Sequence, residues 1–262
     1  MSRTALFWGI VFILLGVVLG LQAAGLISGS VWGYIWALLL IFLGIWVISS
    51  IYYKPKYDEA HKFTVPRKDA RQAEITFDFG AASLVLTGGA SPEAALEGLS
   101  GTTLDLRSDY LDDKVIIQVN AGPSFIPFLG PDGWSWRFRM NNDLPTSLKF
   151  ESGASSIDLD LSDVKVSHLK LETGASSSKI VLPAHAGKTL VEVEGGAASF
   201  DLRVPEGVAA RVRILQGASS VRVDETRFPI TSKGYYQSPD YDAAQNSIEM
   251  VLDTGAGSFN IH

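Results

Sequence analysis

The side chains able to do chemistry are few and scattered. His61, His168, His185 and His262 have no carboxylate or second histidine at a ligand-like spacing, so no metal centre is expected. Asp158-x-Asp160 sets two carboxylates on one strand face, an arrangement suited to acid–base work or Ca²⁺. Both flank an apolar Leu159, however, and the pair is read as a solvated outer face. Gly187-Lys188-Thr189 lacks the upstream glycine and four-residue gap of a phosphate loop. Cysteine is absent, which removes thiolate catalysis, disulfides and cysteine-based metal sites together. The expectation is no catalytic residue, no metal and no cofactor: not an enzyme.

Binding surfaces are better represented. Phe125-Ile126-Pro127-Phe128 is followed by Trp134-Ser135-Trp136-Arg137-Phe138-Arg139. Trp134, Trp136 and Phe138 alternate after the Pro131-Asp132-Gly133 turn and so share one strand face. Aromatic residues with arginine carry much interface energy, which makes Phe125, Phe128, Trp134, Trp136 and Phe138 a candidate partner surface. The competing and preferred reading is a hairpin that caps the β domain with its aromatics inward. Tyr235-Tyr236 and Tyr241 form a weaker second candidate.

These residues need a scaffold, and the chain of 262 residues divides sharply. Between Arg3 and Lys54 lie 50 residues without a charged group or histidine. About 20 apolar residues already cross the hydrocarbon layer, so the tract reads as two spans, Ala5–Leu21 and Trp32–Tyr52, turning at Ala23–Ser30. Trp8, Trp32, Tyr34, Tyr52 and Tyr53 lie towards span ends, where amphipathic rings favour the interface. The first 71 residues carry seven Lys/Arg against three Asp/Glu, and the remaining 191 carry 15 against 25. An acidic distal domain argues against nucleic acid.

Lys54, Lys56, Lys62, Arg67, Lys68 and Arg71 follow the second span, and Arg3 precedes the first. The positive-inside rule then places both termini and the distal domain in the cytoplasm. The same cluster is a candidate membrane-surface site on anionic lipid. The expected organisation is a transmembrane hairpin over 1–53, a basic juxtamembrane linker over 54–72 and a β domain over 73–262.

The distal part repeats a phrase at Gly80-Ala-Ala-Ser, Gly153-Ala-Ser-Ser, Gly174-Ala-Ser-Ser, Gly196-Ala-Ala-Ser, Gly217-Ala-Ser-Ser and Gly255-Ala-Gly-Ser. Successive glycines are 73, 21, 22, 21 and 38 residues apart, as in a solenoid with looped rungs. Positions five and three before each glycine, and four and six after it, are apolar in 23 of 24 cases; only Ser178 departs. A 47% apolar background would supply about 11. Spacing by two is strand periodicity, but the buried parity is odd before the glycine and even after it. Each rung is therefore strand, corner, strand and return loop, with glycine supplying the corner dihedrals and small residues allowing close stacking. The serines recur in every rung, as a packing rule requires and one active site does not. Beyond Ala73 only Pro92–Leu99 carries a trace of helical periodicity. The predicted class is an all-β repeat domain, a single-stranded β-solenoid, behind an α-helical membrane hairpin.

Phe7-Trp8-Gly9-Ile10 with Leu15-Gly16, and Trp36 with Ile41-Phe42-Leu43-Gly44-Ile45-Trp46, resemble the transmembrane region of bacterial LiaI/LiaF-type proteins. Leu159-Asp160-Leu161-Ser162 and Leu171-Glu172-Thr173-Gly174-Ala175-Ser176-Ser177 resemble the toastrack β-repeat domain of the same proteins. The resemblance implies a bacterial envelope protein of the cell-wall antibiotic response, in which LiaF-like members restrain a membrane sensor kinase. The partners expected are the lipid bilayer, such a kinase or another envelope-stress protein, and a second copy of the chain. The alternatives are a self-assembling membrane-anchored scaffold, or a sensor domain for wall precursor, lipid or carbohydrate.

Overall fold

In the computed structural model the chain forms two compact units, Met1–Lys54 and Pro55–His262. The structure describes residues 12, 24, 25, 36, 61–100, 104–121, 135–215 and 220–262. Both expected membrane spans therefore lie outside the described residues, apart from Phe12 and Trp36. Among the described residues no helix is long and apolar enough to cross a membrane.

Among its described residues the regular structure of the second unit is strand alone. In chain order they are β1 (His61–Pro66), β2 (Gln72–Gly88), β3 (Ala94–Ser100), β4 (Leu104–Leu111), β5 (Lys114–Ala121), β6 (Ser135–Met140) and β7 (Thr146–Asp160). They continue as β8 (Val166–Val181), β9 (Lys188–Arg203), β10 (Ala209–Ile214), β11 (Ser220–Val223), β12 (Ile230–Ser232), β13 (Tyr235–Gln237) and β14 (Ser247–Ile261). Two sequence expectations need correcting here. Residues 61–66, assigned to a linker, are a strand paired with β3, because Phe63 and Val65 alternate with polar neighbours and pack on the core. Pro92–Leu99 is not helical; Ala94, Ala95 and Leu96 enter β3 between β1 and β6.

Five long strands, β2, β7, β8, β9 and β14, stack in parallel and in register, and each bends at its corner glycine. In β7, Leu148 and Phe150 are buried before the bend and Ile157 and Leu159 after it, while Gly153 and Ala154 are both exposed. Two successive outward residues reverse the parity, and the two limbs of every rung face one core. Phe77 stacks on Phe150 at 4.9 Å, and Phe200 on Phe259 at 5.3 Å. The departing Ser178 is buried all the same, and its Oγ finds no hydrogen-bond partner.

The corner glycines have a different cause from the one expected. None of the described ones has a left-handed φ; those lie elsewhere, as at Gly187 (75°) and Gly207 (76°) in return loops. Instead, a Cβ on Gly153 would stand 2.6 Å from the carbonyl oxygen of Gly80, one on Gly174 2.6 Å from that of Gly153, and one on Gly196 2.7 Å from that of Gly174. Glycine is needed because the neighbouring rung's backbone fills the space. Gly217 lies outside the described residues.

The stack does not follow chain order. A straight reading of the period would place the Gly217 rung on β9. In the structure β14 lies on β9, and β10 and β11 pair with the far side of β14. The ends are closed differently: β5 and β4 cover the first limb of β2, β6, β3 and β1 cover its second, and β13 and β12 extend the sheet beyond β10.

Candidate functional site

Because the rungs are in register, a residue type repeated at one offset becomes a column with about 4.8 Å between rungs. Two residues before each corner stand Asp78, Glu151, Glu172, Glu194 and Asp253, in one row across five strands. Two residues earlier stand Thr76, Lys149, Lys170, Glu192 and Val251. Alternation puts both columns on the outer face of the first limbs. The columns match no catalytic or metal-ligating spacing, although the recurrence of acids two residues before the glycine is visible in the chain.

The two lysines lace the acidic column together. Lys149 binds Glu151 and approaches Glu172 at 3.7 Å; Lys170 binds Glu172 at 2.5 Å and approaches Glu194 at 3.8 Å. The hydrogen bond to Glu151 raises the Lys149 pKa, that to Glu172 raises the Lys170 pKa, and the bond from Lys170 holds Glu172 below the usual carboxylate range. Towards the other end Glu192 meets His168 at 2.7 Å. An open depression of about 660 Å³ runs along the column, lined by Glu151, Glu172, Glu194, Asp253, the corner glycines Gly196 and Gly255, and Gly195 beside them. The carboxylates line an open, solvent-facing surface, which suits contact with cationic groups more than proton transfer. Among the described residues no group of three or more His, Asp or Glu could hold a metal ion.

The corners carry columns of their own. Ser83, Ser156, Ser177, Ser199, Ser258 and Ser220 fall in one row, and the Ser258 hydroxyl donates to Ser199 at 3.1 Å. Asp158 and Asp160 do not act as a pair: Asp158 lies opposite Lys179, and Asp160 accepts bonds from the Ser162 amide and hydroxyl at the turn.

Trp136 and Phe138 are not on a partner surface, which corrects that expectation. Both are fully buried on β6, with Phe138 4.9 Å from Phe77 and Trp136 5.1 Å from Phe79. They seal the first end of the stack, the inward arrangement preferred from the sequence. Phe125, Phe128 and Trp134 lie outside the described residues. So do Lys54 and Lys56. The remaining cations are split by the length of β1: Lys62 sits on the strand, while Arg67, Lys68 and Arg71 occupy the turn beyond it. Arg67 donates from Nε to the Ala70 carbonyl, and Lys68 lies 3.6 Å over the Tyr110 ring. Tyr235 stays exposed, whereas Tyr241 is covered by Arg211 at 4.1 Å.

The model of the N-terminal domain of toast_rack, DUF2154, matches residues 54–203, more than half of the chain. The chain belongs to the toast_rack family. The matched part of this toast_rack domain ends at Arg203, the last residue of β9. The fold agrees with a crystal structure of a candidate cell adhesion protein from Clostridium sporogenes, 19% identical, with a TM-score of 0.69 over 79% of this chain and 99% of that one. A candidate adhesin from Bacteroides fragilis is 9% identical over 78% of this chain and 96% of that one, with a TM-score of 0.29. No curated protein matches the chain.

Proposed function

We propose that this toast_rack protein is a non-enzymatic bacterial membrane protein of the cell-envelope stress response, whose β domain modulates a membrane sensor kinase by direct contact. The observation that supports this reading is the continuous outer face of the first limbs, where Glu151, Glu172, Glu194 and Asp253 form one graded column. A long row of charge along an open depression fits an extended basic protein surface better than a small molecule. The uncharged tract of 50 residues supports the membrane anchor, and the cations after it support a cytoplasmic β domain.

The test is capture of partners with the intact protein from detergent-solubilised cells. Retrieval of a sensor kinase, lost on reversing Glu194 and Asp253 to lysine, supports the reading; retrieval of no signalling protein removes it. The side of the membrane is read by labelling Lys233→Cys in the β12–β13 turn, before and after lysis. Labelling in intact cells overturns the cytoplasmic placement and brings forward direct sensing of wall precursors.

A second reading, a self-assembling scaffold, is favoured by the stack ends. Among the described residues β4 pairs only with β5 and β12 only with β13, leaving strand edges of the kind that join chains.

A further inference from the structure

The position of β14 is unexpected for a repeat protein, and its surroundings say what it does. It is a full rung of 15 residues clamped between β9 on one side and β10 with β11 on the other. Removing a strand from the middle of a sheet leaves two open edges, which opposes its departure. Here the two flanking rungs match each other.

Three observations show the match. First, Gly196 and Gly217 are 21 residues apart, the spacing that joins adjacent rungs elsewhere. Second, the connection from β9 to β10 has five residues, no more than the five between β7 and β8 or the six between β8 and β9. Third, the side chains are complementary across β14. Rows run Glu192, Val251, Arg213 and Asp201, Asn260, Arg222. Closing β10 and β11 onto β9 would set Arg213 against Glu192 and Arg222 against Asp201, opposite charges in direct cross-strand positions. It would also set Val212 on Val191, Ile214 on Val193, Val221 on Phe200 and Val223 on Leu202, apolar against apolar throughout. With β14 in place, neutral residues separate the charged pairs, and Asp253 faces Glu194, a like charge. In compensation Asn260 and His262 both contact Asp201, at 2.7 and 3.2 Å.

We infer that β14 is an exchangeable insert and that its slot, between β9 and β10–β11, accepts the β14 strand of a second copy of this chain. An emptied slot closes on itself, so the released strand leaves no long exposed edge behind it. Insertion into another copy restores the same ladders and the same buried side-chain rows, the condition under which strand swapping costs least. The nine residues between β13 and β14 span up to about 30 Å when extended, enough to reach a neighbour. The inference rests on the fold alone and stands or falls apart from the kinase reading.

The experiment uses the full chain, which has no native cysteine. Two differently tagged copies are co-expressed, one carrying Glu194→Cys and the other Asp253→Cys, and then oxidised. These positions are directly paired on β9 and β14, within disulfide reach. The expected result is a disulfide-linked heterodimer at least several-fold above that of a control pair, Glu194→Cys with Lys233→Cys. A single chain carrying both Glu194→Cys and Asp253→Cys should cross-link within itself. Internal cross-linking with heterodimer at the control level overturns the exchange, and failure of the internal cross-link overturns the slot itself.

Discussion

Gly153 lies directly against the carbonyl of Gly80, so that a single added methyl would stand 2.6 Å from that oxygen. The contact runs one way. A Cβ on Gly80 would meet nothing within 4 Å, because Gly80 begins the column. Gly153→Ala or Gly174→Ala should therefore destabilise the domain by about 1–3 kcal/mol through forced separation of rungs. Gly80→Ala should stay within roughly 0.5 kcal/mol of the parent. Denaturant midpoints of the purified full-length chain decide it; equal effects at Gly80 and Gly153 would remove the packing explanation.

Ser178 offers the opposite sign. Its hydroxyl is buried without a partner at a position where the rungs on either side carry Ile157 and Phe200. Ser178→Ala removes an uncompensated polar group and should raise stability by about 1 kcal/mol. A lower thermal midpoint would show that the hydroxyl is satisfied after all.

Trp136 and Phe138 separate packing from recognition. Trp136→Ala or Phe138→Ala should lose about 3–5 kcal/mol by opening a cavity at the end of the stack. Partner capture by any variant that remains folded should be unchanged. Loss of capture with an unaltered circular dichroism melt would restore these residues to a binding role.

The response to acid follows from Glu97 and Glu172, both held below the usual carboxylate range. For Glu97 the cause is hydrogen bonding from Ser91, with Arg139 adding to it; for Glu172 it is the bond from Lys170. A depressed pKa contributes stability that is present above the unfolded value, near 4.5, and is lost as pH falls through the lower folded value. Lys149 and Lys170, raised above 10.5, contribute below that value and lose it in strong alkali. Denaturant midpoints should hence fall below about pH 4.5, and Glu97→Gln should flatten that limb. An acid limb unchanged in Glu97→Gln would discount its contribution.

Much of this architecture is legible in the chain because one rule repeats. Apolar residues at four fixed offsets from each glycine give the limbs, the corner and the all-β class, and Ser178 obeys the burial rule while breaking the composition rule. What the chain conceals is anything set by contacts distant in sequence. The rise of β14 between β9 and β10 depends on pairing residues 59 apart, such as Asn260 with Asp201, and a local period carries no sign of it. The linker expectation fails for a related reason: Phe63 and Val65 alternate too briefly to announce β1, which is fixed by β3. Of the candidate surface, alternation placed Trp136 and Phe138 on one face, but only the stack decides that the face is inward.

The clamped position of β14 also has a mechanical consequence. Tension applied along the strand at His262 must slide two parallel ladders at once, on β9 and on β10–β11, with many hydrogen bonds strained together. Tension applied at His61 acts on β1, a six-residue edge strand whose one ladder among the described residues is with β3. The domain is thus stiff when pulled from one end and yielding from the other, so a steady force would peel it from the β1 side and leave the rungs intact.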